Sequence, residues 1–368
     1  TSHQDRSHLQ DDNKNHREAQ PTKQRCQASR FGSRHVKMKK QVPTIRSMSG
    51  QHPDQLTHLS HALKQRARDE GFDPVGIARL PGSPRLQLRT EALQRWLDHG
   101  YQADMAWMAA PRRRDASQLL EGVQSLLAVG LNYYVSAQSA PGSLKVARYG
   151  WGRDYHRVVE QRLRRVGRWL SEQKPSCQWR VCVDASPLLD KVWAEEAGLG
   201  WIGKHSNVIH PHRGSWMVIG HLLTTEALQA DAPAKTLCGR CVACIEACPT
   251  DAIREPFVVD AQRCLAFHTI ENREPDLPES IKSSIGPWIA GCDICQDVCP
   301  WNHRDLPSSE DPDMQPRPWL LNVKAQELQH WDDATWDQQL RGSALRRIKP
   351  WMWRRNAAAA EPDLPPNL

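Results

Sequence analysis

The 368-residue chain has no run approaching the roughly 18–20 apolar residues that a helix needs to cross a bilayer, and no charged segment leading into an apolar one. Neither a membrane span nor a secretory signal is expected, and a cytoplasmic protein is. Net charge is also missing from most of the chain. The formal +7 lies wholly in residues 1–47, where 11 Lys and Arg face four acids, and the rest of the chain is neutral. That basic tail is rich in His, Gln, Lys and Ser, lacks apolar periodicity, and cannot bury enough surface to offset the entropy of ordering it. It is expected to be a disordered leader outside a fold that opens near Met48. There is no internal repeat beyond two cysteine motifs, and no Gly-x-x-x-x-Gly-Lys-Ser/Thr loop for a triphosphate.

What remains is 39% hydrophobic over the chain, enough for one large or two medium domains. Leu56, Leu59, Leu63 and Ala67 fall at helical spacing, and FDPVGIARL reads as the strand after them. SLLAVGLNYY is a buried-strand run. Val158, Leu163, Val166 and Leu170 mark the inner side of a long helix. WRVCVDAS reads as a strand, followed by a helix that Pro187 starts and Gly198 stops. NVIHPHRGSWMVIGHLLTT reads as a hairpin, and DLPSSEDPDMQPRP as a linker. The expected divisions are a tail (1–47), an α/β catalytic domain (48–231), a cysteine-rich domain (232–304), and a linker with a basic helical segment (305–368).

Eleven cysteines in such a chain point to metal or redox chemistry, and eight of them crowd one region. CGRCVACIEACP places Cys238, Cys241, Cys244 and Cys248 before a proline; CDICQDVCP places Cys292, Cys295 and Cys299 before another, with Cys264 upstream. The C-x₂-C-x₂-C-x₃-C-P run is the bacterial ferredoxin pattern, and two sets imply two 4Fe-4S clusters. Three thiolates of a tight loop cap one cube and the fourth reaches the other. By that rule one cluster takes Cys238, Cys241, Cys244 and Cys299, and the second takes Cys248, Cys264, Cys292 and Cys295. Zinc knuckles also use C-x₂-C, but the two C-x₃-C-P endings and the lack of ligand-spaced His favour clusters.

Upstream, Asp184 ends the strand WRVCVDAS, either as a helix cap or, at the open end of an α/β sheet, as a carboxyl with a raised pKa that donates a proton. GLGWIGKHS offers close glycines with Lys204 and Ser206, and RYGWGRDYH packs Arg148, Tyr149, Trp151, Asp154, Tyr155 and His156 together. His210 and His212 read as surface residues.

Together with RRDASQLL, CLAFHTIEN and RGSALRRIKPWMWRRNAAAA, these segments make residues 54–360 resemble the epoxyqueuosine reductases. That resemblance implies a cobalamin-binding α/β (α+β) domain of nitroreductase-like type, then a ferredoxin-like domain with two 4Fe-4S clusters and a short C-terminal helical segment. It implies that cobalamin, reduced through the clusters to Co(I), attacks epoxyqueuosine at the wobble position of a tRNA with a GUN-type anticodon, with Asp184 as proton donor. Matching positions put cobalamin near Arg113, Asp184, Val208 and Ile219, with Tyr149, Tyr155, His156, Lys204, Ser206 and Asp293 as further lining. A low-potential electron donor and a monomer are expected. The family's usual Pro after the Arg pair is here Ala116, and its Pro-Gly is Glu121-Gly122.

Arg341, Arg346, Arg347, Lys349, Arg354 and Arg355 form a run without acids, interleaved with Trp351 and Trp353. Cations for phosphates and indoles for unpaired bases suit an anticodon loop. A reductive dehalogenase shares the cofactors but would bring a twin-Arg export signal, absent here; a plain ferredoxin-type electron carrier would not need the ordered residues upstream.

Overall fold

The computed structural model describes residues 53–360, so the expectations of a disordered tail at 1–47 and a frayed end after 360 lie outside the described residues. The apolar stripe of the first helix is realised in α1 (Pro53–Asp69), which buries Leu59, Leu63 and Ala67. Then come β1 (Val75–Arg79) and α2 (Pro84–Asp98), capped by Ser83, whose hydroxyl accepts from the Arg85 N–H at 3.2 Å. β2 (Ser125–Asn132) is buried at all but its last residue. After the short β3 (Lys145–Val146), α3 (Tyr155–Gln173) turns Val158, Val159, Leu163, Val166 and Leu170 inward. β4 (Trp179–Val183), α4 (Asp190–Glu196), β5 (Trp201–Ile202), β6 (Val208–Ile209) and β7 (Met217–Thr224) follow.

The main sheet runs β1-β2-β7-β4, with every neighbouring pair antiparallel. Its alternation separates two cores. Leu127, Val129 and Leu222 face α1 and α3, whereas Leu126, Ala128 and Leu223 face Leu188, Val192 and Trp193 around α4. Each fully buried leucine contributes about 1.5–3 kcal/mol. Two glycines let α3 approach the sheet: a Cβ at Gly220 would stand 2.5 Å from Val159 Cγ1, and one at Gly167 2.6 Å from the Trp179 ring. This seating fixes the N-terminus of α3 over the end of β4.

Three local expectations change. The sheet is antiparallel, so the ligand-site rule for parallel sheets does not account for the position of Asp184. The anticipated hairpin divides: β6 pairs with β5, and β7 is claimed on both sides by β2 and β4, leaving a single bridge between His210 and Gly214. Pro187 lies in the turn before α4, whose cap position is Leu189.

The cysteine-rich stretch is built from short pieces: α5 (Ala243–Glu246), β8 (Ile253–Glu255), β9 (Val258–Val259), α6 (Leu265–Ile270), α7 (Glu279–Lys282), β10 (Trp288–Ala290) and α8 (Ile294–Asp297). β10 pairs in parallel with β3, tying this stretch to the first part of the chain. The remainder carries α9 (Ala325–Gln329), α10 (Asp333–Leu340) and α11 (Pro350–Ala359). One core joins Leu144 and Trp151 with Ile289, Leu320, Leu345, Met352 and Trp353, so it crosses the boundaries drawn at 231 and 304. The expected linker is docked as well. Arg162 donates to Asp311 at 2.5 Å and Asp313 at 2.9 Å, and Met314 is buried. No helix among the described residues is long and apolar enough to cross a membrane.

Candidate functional site

Asp184, just past β4, has a positive φ of 43°, a conformation that costs a non-glycine residue about 1–3 kcal/mol but that Asp tolerates better than most. Its carboxylate accepts a short hydrogen bond from the Tyr155 hydroxyl and one of 2.9 Å from His156 Nε2. The other ring nitrogen of His156, Nδ1, donates to Asp154 Oδ1 at 2.8 Å, while the same carboxylate oxygen caps α3 through the His156 N–H at 3.1 Å. Two carboxylates accept from one imidazole, so both ring nitrogens carry hydrogen and the ring is cationic. Burial works against that charge, but the bonds to Asp154 and Asp184 outweigh it and lift the His156 pKa to about 9.

The expectation of a raised Asp184 pKa is therefore corrected: the hydrogen bond from His156 holds it below the usual carboxylate value, outweighing burial, with Tyr155 assisting. More than half of the Asp184 side chain is open to solvent. Tyr149 packs edge-on to Tyr155 with ring centroids 6.1 Å apart. Its hydroxyl pKa is raised, first by burial and then by Asp293 and Asp184.

Beside this group, Lys191 Nζ donates to Asn207 Oδ1 at 2.9 Å, and its pKa is lowered by burial against the pull of Asp184, Cys295 and Cys264. Arg113 is buried and donates through Nη1 to the Leu188 carbonyl at 3.0 Å, while its Nε has no partner among the described residues. His205 is buried too. Its Nδ1 accepts from the Asn207 N–H at 3.2 Å and its Nε2 is unpartnered. Burial, then Lys191, push its pKa down to about 4, so the neutral ring presents Nε2–H as a donor. Two buried donors thus flank the turn from Leu188 to Lys191 without acceptors, an arrangement that fits a bound group rich in amide carbonyls.

Other anticipated lining residues are committed elsewhere. Lys204 donates to the carbonyls of Gly239 (3.0 Å) and Cys241 (2.8 Å), and the Ser206 hydroxyl to that of Phe257 (2.9 Å). Val208 is buried, and Ile219 packs at the edge of the same core. Asp293 is buried and accepts from the Arg148 N–H at 2.7 Å, which locks the Arg148–Gly150 turn to the second cysteine motif.

The cysteines of the described residues are all free. Burial, and after it the neighbouring Cys299, Cys238 and Cys241, push the Cys244 pKa up to about 11. Cys264 neighbours Cys248, and Cys295 neighbours Cys264, Cys244 and Cys248. The fourth cysteine of each run thus stands among the other's thiols. N–H groups point at the sulfurs: Trp201 Nε1 lies 3.4 Å from Cys238 Sγ, and the Ala252 N–H 3.2 Å from Cys248 Sγ. Among the described residues, no three His, Cys, Asp or Glu are gathered around a single-ion position. Eight thiols on two ferredoxin-spaced runs suit two cubes better than two lone ions.

The C-terminal basic run is less free than its composition suggests. Arg355 donates to the carbonyls of His268, Asn272 and Glu274, and Arg354 to that of Trp331 at 2.7 Å. Trp353 is fully buried. Acids absent from the run arrive from elsewhere: Asp337 pairs with Arg341 and Arg346, and Glu271 with Arg347. Arg341 and Lys349 remain exposed and Arg347 half-exposed. His205, Lys191 and Asp154 were not singled out by pattern for the roles they fill here. Of these only Asp154 carried a signal, in the Asp-x-His spacing.

Comparison with known proteins points to one family. Residues 237–302 match the family described as a 4Fe-4S double cluster binding domain, and residues 113–185 the family described as Epoxyqueuosine reductase QueG. The chain is 79% identical over 321 residues to an epoxyqueuosine reductase of Synechococcus sp. (strain CC9605), covering 87% of this chain and 100% of that protein. It is 39% identical over 321 residues to the Salmonella typhimurium epoxyqueuosine reductase, covering 85% and 82%. A crystal structure of an epoxyqueuosine reductase with an epoxyqueuosine-modified tRNA-Tyr stem loop superposes with a TM-score of 0.76 at 27% identity, over 82% of this chain and 80% of that one.

Proposed function

The chain belongs to the epoxyqueuosine reductase family, and we propose that it reduces epoxyqueuosine to queuosine at the wobble position of GUN-anticodon tRNA with Asp184 as its proton donor. The observation that carries the mechanism is the Asp154–His156–Asp184 chain, set beside the cysteine groups through Lys191. When bound, the two 4Fe-4S clusters supply single low-potential electrons and cobalamin the bond-breaking chemistry at the epoxide. Cys238, Cys241, Cys244 and Cys299 would hold one cluster and Cys248, Cys264, Cys292 and Cys295 the other. Arg113 and His205 would meet the corrinoid's amides on a domain of nitroreductase-like type. A monomer working in the cytoplasm with a low-potential donor completes the reading.

Removing the epoxide oxygen as water takes two electrons and two protons, one handed on by Asp184 and the other drawn from the solvent to which its side chain is open. Asp184 is ionised at rest, so it must first receive the proton it donates. His156, protonated up to about pH 9, holds one 2.9 Å away. Transfer along that hydrogen bond recharges the carboxyl, and Tyr155 fixes the oxygen that accepts it. Anaerobic reconstitution with iron, sulfide and cobalamin, followed by assay on epoxyqueuosine-bearing tRNA, tests the reading; a fully loaded protein that leaves the epoxide intact would refute it.

The raised pKa of His156 gives a signed pH dependence. The charge is fully present below the ordinary value of about 6.5 and is lost as pH rises through about 9, taking with it the proton store and the clamp on Asp184. The turnover rate is expected to fall above pH 9, and His156→Gln to lower it about 10–100-fold while abolishing that limb. A pH–rate profile of both proteins decides the matter.

For the RNA, Arg347→Glu with Lys349→Glu is expected to weaken binding of the anticodon stem-loop by about tenfold and to flatten its salt dependence, as read by gel shift at two salt concentrations. Arg355→Ala, by contrast, removes donors from three carbonyls and should show up in thermal stability.

A further inference from the structure

An exposed indole is linked to the Asp184 group through one arginine. Trp107 sits in a single 3₁₀ turn (Ala106–Ala109) and keeps 45% of its surface open. The Arg347 guanidinium lies over its ring, 5.3 Å from the centroid. Arg347 is held in turn by Glu271, through Nε at 2.8 Å, and lies within electrostatic reach of Asp184 and Tyr149. Trp107 thus touches an arginine whose charge reaches Asp184, although Trp107 and Arg347 are 240 positions apart.

The next turn, Pro111–Arg114, separates its arginines by direction. Arg113 is buried and bonded to Leu188, on the cofactor side, while Arg112 and Arg114 are exposed and have no acidic partner among the described residues. The loop's acids lie toward its ends. Asp104 is exposed, and Asp115 is occupied locally by Ser117 and Gln118. The segment from Trp107 to Arg114 therefore carries an exposed indole and two cations without acidic partners among the described residues, the pairing that unpaired RNA recognises by stacking and phosphate contact.

We propose that Trp107, steadied by Arg347, is a stacking platform for an unpaired base of the anticodon loop next to the one entering the Asp184 site, with Arg112 and Arg114 on the flanking phosphates. The inference rests on the reading of the chain as a tRNA-reducing enzyme and adds where the loop is gripped. It moves the RNA platform away from α11, whose Trp353 is buried and whose Arg354 and Arg355 hold backbone carbonyls.

The test uses the loaded full-length enzyme and two synthetic RNAs: an unmodified anticodon stem-loop with 2-aminopurine beside the wobble position, and a fully paired duplex of the same length. Trp107→Ala is expected to weaken stem-loop binding about tenfold and to remove the fluorescence quenching of 2-aminopurine, leaving duplex binding unchanged. Trp107→Phe should restore most of both. Arg112→Ala with Arg114→Ala should reduce the salt slope of binding by about 1–2. Unchanged stem-loop affinity in Trp107→Ala, or an equal loss on the duplex, would overturn the platform. Failure of the wild-type enzyme to reduce epoxyqueuosine despite normal quenching would instead count against the parent reading and leave the platform standing.

Discussion

Asp184→Asn is expected to retain wild-type iron, sulfide and corrinoid content and to lose about 10²–10⁴-fold in single-turnover rate on an epoxyqueuosine-bearing stem-loop. Asparagine has nearly the same shape and can still accept from Tyr155 through its carbonyl oxygen, so the end of β4 should keep its geometry. It cannot carry a transferable proton. Its effect also reaches His156, whose charge rests on two carboxylates against a burial cost: with one neutralised, the imidazolium pKa falls from about 9 toward its ordinary value. Asp184→Asn and His156→Gln should therefore be far from additive, because they interrupt one proton path. Near-wild-type turnover by Asp184→Asn would assign the proton to another donor, and additive losses would separate the two residues.

Why the sequence could place Asp184 but not its charge state is a matter of distance along the chain. Strand patterning ends at Val183, so an exposed aspartate at the strand terminus is legible. The partner that sets its pKa enters 28 positions earlier, at the first turn of α3, and only the packing of α3 on β4 through Gly167 brings the two together. The same limit applies to the sheet. Apolar runs announce β2 and β7 individually, yet nothing local says that β7 lies between β2 and β4 rather than returning along β6. Composition misled at the C-terminus for a related reason. Arg354 and Arg355 look available in a run without acids, whereas their acceptors are main-chain carbonyls that no pattern displays. The cysteines are the opposite case, since their chemistry lies in spacing, which is local.

That spacing makes its strongest commitment at Cys299, the last cysteine of the second run. Cys299→Ala is expected to lower iron from about eight to about four atoms per chain and to abolish turnover, the result expected if the reaction draws its electrons through both clusters. The cluster lost should be the one attached to the first run. Cys299 has Cys238 and Cys241 as neighbours, and Cys244 counts Cys299 first among its own. The reduced Cys299→Ala protein should therefore give the same electron paramagnetic resonance signal as Cys241→Ala, both keeping the cluster held by Cys248, Cys264, Cys292 and Cys295. Cys248→Ala should match Cys295→Ala instead. A Cys299→Ala spectrum like that of Cys295→Ala would mean that each run closes its own cluster and would overturn the crossed assignment. Stability should follow the same division. The apolar groups beneath the cysteines are small, such as Trp201, Ile209 and Cys299 itself in one and Leu265, Leu277, Ile281 and Ile285 in another. A stretch with so little buried surface depends on its metal bonds to stay folded. Loss of the first-run cluster should thus expose residues 237–249 to protease in Cys299→Ala, while Cys248→Ala leaves Cys238, Cys241 and Cys244 ligated and that loop protected.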